Sequence, residues 1–283
     1  MAKNKSTKHE HYVPQFYLRQ FSPDGNLIYQ YDVISCAQTL KPVPIKSICY
    51  ENDLYEFRDN SGEIIRKNLI EKSFSELERK FASVFRSIQS KAQYEANYQT
   101  RSFLSSEEKA FLIFFLSTII IRSPDVLQAA QETTMEFFED WITETSARNL
   151  ALKTCLPIYK TLNAEERNPL NSAVRLISNK SFQIGATDKD VFWTSDSPVI
   201  IYGSNQPANI DKIIMPISPH LALYMKPYEN TKNGFYNRLV KLDKKDVEYI
   251  NSSVVTHCKR WIYSNAPLTS SQIKWISKER NQI

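Results

Sequence analysis

Glycine, cysteine and histidine are all scarce in this chain: five, four and four residues among 283. With so few glycines there is no G-x-G-x-x-G and no G-x-x-x-x-G-K-[ST], which excludes the two commonest phosphate-cradling loops. Cys36, Cys49, Cys155 and Cys258 are scattered, without a C-x-x-C pair or the Cys/His spacing of a zinc site. They predict free thiols in a reducing cytoplasm. Residues 1–8 are polar and basic, lack the apolar stretch of a secretory leader, and predict a disordered tail. A run long enough to cross a bilayer, about 20 apolar residues, is also missing, so no membrane is expected. The longest apolar run, 110–121, sits between Glu107-Glu108-Lys109 and Arg122. It predicts a central core helix, apolar on all sides. Nor is either charge dominant: 36 Lys/Arg against 31 Asp/Glu leave +5. The excess is uneven, with 11 basic and 5 acidic residues from Lys226 onward. A basic final fifth suits a polyanion partner, and equally a plain solvated surface.

The chain is long enough to bury a full core, its 42% hydrophobic content is ordinary, and its 12% aromatic content is high. Pro14 opens a short helix over 14–21, which stops at the turn Ser22-Pro23-Asp24-Gly25. Alternation predicts a strand over 26–33 and shorter strands over 45–50 and 53–57. Asp59-Asn60-Ser61-Gly62 makes a second turn, with 63–65 pairing back across it. From residue 68, Leu69, Phe74, Leu77, Phe81, Val84, Phe85 and Ile88 recur at helical spacing. Ser105 and Glu108 form a capping box for the core helix. Helices over 124–148 and 163–178 follow. Short strands are then expected over 181–186, 191–193, 198–202, 212–215, 220–225 and 261–263, with helices over 243–258 and 270–280. The result is one α+β domain over 1–283. A central helical block would be flanked by strands from the N- and C-terminal parts, joined in a mixed or antiparallel sheet.

Four polar clusters could carry chemistry. His9 and His11, with Arg19, lie in the aromatic run at the N-terminus. Histidine titrates near neutrality, so His11 suits a general acid/base, a metal ligand, or a plain hydrogen-bonding residue. Arg122-Ser123-Pro124-Asp125 ends the most apolar helix. A guanidinium there is either buried against a carboxylate or anchors a phosphate. Thr194-Ser195-Asp196-Ser197-Pro198 is dense in turn formers. Asp196 either caps backbone or faces a pocket, and Ser195 lacks the glycines of a nucleophile elbow. Asn251 lies on the late helix, with His257 and Lys259-Arg260 beyond it. Asp59 and Glu63 precede Arg66-Lys67 without the E-x-K spacing of a nuclease metal site.

The run His11-Tyr12-Val13-Pro14-Gln15-Phe16-Tyr17-Leu18-Arg19-Gln20-Phe21 resembles the opening H-Y-V-P-x-x-x-L-x-x-F of a bacterial and phage family, domain of unknown function 4238. Ile121-Arg122-Ser123-Pro124, Thr194-Ser195-Asp196-Ser197-Pro198, Pro216-Ile217-Ser218-Pro219 and Asn251 resemble its later motifs, in the same order. Ser197 stands where the family more commonly has Asn. The resemblance spans nearly the whole chain and implies one domain. It further implies that His11, Arg122, Asp196 and Asn251 form one site, and it brings no established reaction.

Two functions follow as expectations. The leading one is an enzyme on a phosphate-bearing substrate, a nuclease first. His11 would be its acid/base, Arg122 the phosphate anchor and Asp196 an orienting carboxylate or metal ligand. Arg19, Thr194, Ser195, Asn251, Lys259 and Arg260 would bind substrate, and a divalent metal would be an optional cofactor. The alternative is a non-catalytic module for nucleic acid, nucleotide or protein, in which the polar residues hold the structure.

Overall fold

A computed structural model describes residues 9–94, 102–156, 169–203, 210–227 and 237–281. The tail at 1–8 and the first part of the helix expected over 163–178 lie outside them. The N-terminal part comprises β1 (His9–His11), α1 (Gln15–Leu18), β2 (Leu27–Asp32), β3 (Ala37–Gln38), β4 (Val43–Pro44) and β5 (Tyr50–Asn52). Helices follow: α2 (Leu69–Tyr94), α3 (Ser106–Ile121), α4 (Pro124–Phe138), α5 (Glu144–Cys155) and α6 (Pro169–Ser178). The last part holds β6 (Lys180–Ala186), β7 (Thr194–Ser195), β8 (Ile200–Gly203), β9 (Ile210–Ser218), β10 (Leu221–Pro227) and β11 (Arg238–Lys241). It ends in α7 (Lys244–His257), β12 (Trp261–Ser264) and α8 (Ser270–Arg280). The fold is α+β.

Chain contacts divide these elements into two compact units, each assembled from three segments. Unit 1 takes Met1–Tyr12, Cys49–Phe81 and Leu112–Ser178. Unit 2 takes Val13–Ile48, Ala82–Phe111 and Asn179–Ile283. In unit 1 the antiparallel pair β1–β5 accompanies helical segments, whose core gathers Tyr55, Phe74, Ile121, Leu127, Leu152 and Leu170. Unit 2 holds two sheets. One has the order β11-β6-β10-β9-β8, antiparallel except for the β11–β6 pair. The other has the order β3-β2-β12-β7, with β4 also on β2. The N-terminal strand β2 thus pairs directly with the C-terminal strand β12, Trp261 opposite Asp32 and Ser264 opposite Tyr29. Tyr31, Phe192, Trp193, Ile214, Ile250, Val254 and Ile262 pack its core.

Local chemistry accounts for much of this. Both predicted turns form, with Gly25 at φ 78° and Gly62 at φ 86°, values that favour a residue without a Cβ. In the first, the Asp24 carboxylate accepts the N–H groups of Asn26 and Leu27 at 2.8 and 2.7 Å. Ser105 and Glu108 cap α3 reciprocally, at 3.1 and 2.8 Å. Ser117 and Thr118, the polar residues inside its apolar run, return their hydroxyls to the carbonyls of Ile113 and Phe114. Among the described residues no single helix is long and apolar enough to cross a membrane.

Several expected elements differ. The helix over 124–148 is two helices. It breaks after Phe138, where Glu139 takes φ 45° and Glu139–Trp141 forms a single 3₁₀ turn. Thr143 then caps α5, its hydroxyl accepting Ser146 N–H at 3.2 Å. Phe137 and Trp141, beside this break, are exposed. The strand over 45–50 is a 3₁₀ turn at Ile45–Ser47 between short strands, and 53–57 is a turn at 53–55 followed by irregular chain. The pairing across Asp59–Gly62 shrinks to one bridge, Arg58 with Ile64. Residues 191–193 are irregular, because the Pro219 carbonyl and the Asn251 side chain rather than a strand partner satisfy their backbone. Strand β11 carries no alternation strong enough to have been expected.

Candidate functional site

The Thr194-to-Pro198 segment is tied down from three directions, all within unit 2. Asn251, on α7, accepts the Trp193 N–H at 3.3 Å and donates to the Val191 carbonyl at 2.8 Å. The Pro219 carbonyl accepts Val191 N–H and Phe192 N–H, at 2.7 and 2.8 Å. Asp196 faces the end of α7 and the start of β12. Its Oδ1 accepts Lys259 N–H at 2.9 Å, and its Oδ2 accepts Arg260 and Trp261 N–H at 2.9 and 3.1 Å. Burial pushes its carboxyl up from the usual range, with the three N–H donors pulling the other way. Thr194 shares a 2.7 Å hydrogen bond with the Tyr17 hydroxyl, which also donates to the Pro216 carbonyl at 2.8 Å. Ser195 Oγ accepts Ser197 N–H at 3.1 Å. The aromatic N-terminal run, the T-S-D-S-P segment, the P-I-S-P segment and Asn251 are therefore one buried hydrogen-bonded hub.

Beside this hub opens a recess of about 730 Å³. Trp193 and Trp275 meet in its wall, ring centroids 5.9 Å apart at 62°. Val247 and Leu268 add apolar surface, and Asn251, Ser264, Asn265 and Gln272 add polar groups. Asn265 donates to Asp190 at 2.8 Å, and Gln272 accepts Thr269 N–H at 2.8 Å. Each amide so keeps one polar atom turned to no described partner. Lys244, Glu248 and Asp190 are the charges at the recess.

In unit 1, Arg122 is 1% exposed, and each of its three nitrogens has a partner. Nη1 donates to Glu78 at 2.9 Å, Nη2 donates to the His11 carbonyl, and Nε lies 3.4 Å from the Tyr55 hydroxyl. Its guanidinium stacks 4.2 Å from the Phe74 ring centroid. Burial alone would weaken its charge, but the Tyr55 phenol and Glu78 more than offset that and hold it protonated. His11 enters through its carbonyl, while its ring packs at 5.7 Å against Tyr50.

The same unit holds three further glutamates, two of them buried and Glu71 half-buried. Glu10 and Glu56 are fully buried. Glu10 Oε2 accepts Tyr55 N–H at 2.6 Å, and Glu56 Oε1 accepts Asn68 N–H at 2.8 Å. Among the described residues, Glu10 Oε1, Glu56 Oε2 and Glu71 Oε2 have no hydrogen-bond partner. Burial, reinforced by Glu56, Glu71 and Asp53 against the Tyr55 N–H, pushes Glu10 up to about 8. Burial likewise pushes Glu71 up to about 7, opposed by Arg122 and helped by Glu78 and Glu56. Among the described residues no three His, Cys, Asp or Glu side chains are grouped so as to hold a metal ion.

Of the residues singled out in the sequence, His11 and Arg122 meet in unit 1. Asp196, Thr194, Ser195, Asn251 and the backbone of Lys259 and Arg260 belong to the hub of unit 2. The side chains of Lys259, Arg260 and Arg19 are exposed. Arg260 forks onto Asp32 at 2.7 and 3.0 Å, and Arg19 reaches Gln15 at 3.1 Å. Sequence reasoning passed over these glutamates and Glu78, yet two of the four were signalled. Glu71 and Glu78 lie three before and four after Phe74, on the apolar stripe of α2, where a charge is costly without a partner. Tyr17 was visible only as one aromatic among many. Against known families, the model of DUF4238, proteins of unknown function, matches residues 9–267. The chain belongs to that family. The match takes in segments of both units and every motif joined in the hub. No curated protein and no solved structure matches the chain.

Proposed function

We propose that this DUF4238 protein is a binding module whose ligand is a flat, uncharged heteroaromatic ring of the nucleobase type, held in the two-tryptophan recess. The recess carries the reading. At about 730 Å³ it falls in the size range of small-ligand pockets. An indole face suits ring stacking, and the remaining amide atoms of Asn265 and Gln272 suit the polar edge of a base. One basic and two acidic side chains at the recess favour the ring over a phosphate. Arg122, Asp196 and Asn251, by contrast, already have their polar groups committed to Glu78 and backbone. Titration of nucleobases, nucleosides and short single strands, followed by tryptophan fluorescence and thermal shift, tests this. Binding is expected to weaken about tenfold to a hundredfold in Trp275→Ala, the value of one stacked base. No response to any of these ligands would end the reading.

A nuclease or other phosphoester-cleaving enzyme is the second reading, favoured by one observation. Glu10 and Glu71 titrate near neutrality, where acid–base groups work best. Cleavage of labelled RNA or DNA, with and without divalent metal, that disappears in a folded His11→Ala variant would establish it.

A further inference from the structure

Neither reading uses the end of α4 and the turn after it. Residues 132–144 include five acidic side chains, Glu132, Glu136, Glu139, Asp140 and Glu144, and no basic one. Among them Phe137 and Trp141 are 80% and 92% exposed, and Phe138 and Met135 are also exposed. The Phe137 and Phe138 rings pack edge to face with centroids 5.0 Å apart, so these apolar groups form a patch rather than isolated residues. Single exposed apolar residues are ordinary, but clustered aromatics mark contact surfaces. The turn that presents them is strained as well. Glu139 sits at φ 45°, ψ −123°, a conformation that disfavours any side chain.

We propose that this acidic aromatic knob docks on the basic surface of a second copy of the same chain. Charge names the occupant. Outside the knob the chain holds 36 basic and 26 acidic residues. Its greatest excess lies in the last fifth, where Lys244, Lys245, Lys259, Lys274 and Lys278 are all exposed. Opposed potentials of this kind steer and orient association. Anionic lipid is disfavoured, since five carboxylates repel it. Knob and receiving surface are different patches, so each copy offers one of each. Reciprocal docking of two copies makes a two-fold dimer, and one-way docking closes into a ring or grows as a chain.

Sedimentation velocity over a concentration series up to about 100 µM, at about 50 and 500 mM NaCl, tests this. The wild type is expected to self-associate, as a dimer or larger, at low salt and about tenfold more weakly at high salt. Phe137→Ser/Trp141→Ser should remain monomeric, with an unchanged circular dichroism melt because both side chains are exposed. Glu136→Lys/Asp140→Lys is the second probe, weakening association through charge alone. A wild type monomeric throughout, or association indifferent to both double variants, would overturn the proposal. So would a monomer that floats with phosphatidylcholine vesicles, which would make lipid the occupant.

Discussion

Replacing Glu10 by glutamine is expected to change sign in its effect on stability between acid and alkaline pH. The wild-type carboxyl titrates at about 8 when folded, against an ordinary 4.5. Below pH 4.5 both states hold the proton, and its stabilising contribution is fully present. Between 4.5 and 8 the unfolded chain ionises while the folded protein keeps the proton, so stability falls by about 1.4 kcal/mol per pH unit. The loss is complete above pH 8 and totals about 5 kcal/mol. Glu71, pushed up to about 7, adds a loss of the same sign over a shorter window. Asp32 acts oppositely. Its Arg260 partner holds it at about 2, so its contribution is present above its ordinary 3.8 and lost as pH falls through 2. Greatest stability is therefore expected near pH 4–5, more acid than the usual 5–8. Glutamine cannot ionise. Its oxygen can still accept the Tyr55 N–H, while its amide nitrogen meets the unpartnered side of Glu10, at a cost of about 1–3 kcal/mol. Glu10→Gln should thus be less stable than wild type by that amount at pH 4.5, and more stable by about 2–4 kcal/mol above pH 8. Urea denaturation followed by circular dichroism across this range reads both arms. Parallel curves for the two proteins would refute the reasoning.

Three other substitutions probe separate parts of the fold. Asp196→Asn turns an NH₂ toward backbone N–H groups that now share a carboxylate, and should destabilise by about 2–4 kcal/mol in urea. A variant of unchanged stability that loses binding or cleavage would instead make that carboxylate chemical. Gly185→Ala puts a Cβ 2.5 Å from a methyl of Leu242, and should lower the melting temperature through a loss of about 1–3 kcal/mol; an unchanged melt would mean that Leu242 swings aside freely. Glu139→Gly relieves the positive φ after α4 and should raise stability by about 1 kcal/mol, a gain that thermal melts would show.

The α+β class and the order of most elements were legible in the sequence because they rest on local chemistry, and the joining of N- with C-terminal strands, expected from strands flanking one helical block, takes the form of β2 on β12. Turn glycines, the Ser105/Glu108 cap and the periodicity of α2 speak within a few residues of themselves. What could not be read was decided elsewhere in the chain. Residues 191–193 have a strand's composition, but Asn251 and Pro219 occupy their backbone groups, and both lie far along the sequence. The helix expected over 124–148 has sound periodicity across Glu139. It stops because Thr143 offers a new cap and the chain turns through a conformation that composition does not announce.

The site residues show a deeper ambiguity. Arg, Asp, Asn and Thr are the side chains that bind phosphate, orient a base or hold a metal, and also those that satisfy buried backbone groups. Spacing cannot separate the two uses; only the count of partners can. Asp196 has three N–H donors on two oxygens, and Asn251 is bonded at both ends of its amide. Arg122 meets a carboxylate, a carbonyl, a phenol and a ring. Glu10, Glu56 and Glu71 are the reverse case, each with a buried oxygen in unit 1 that no described residue answers. A buried polar atom without a partner carries a standing cost that a packed core has no reason to keep. Such atoms keep a hydrogen-bonding capacity that the polar groups of Asp196 and Asn251 have already directed to neighbouring backbone.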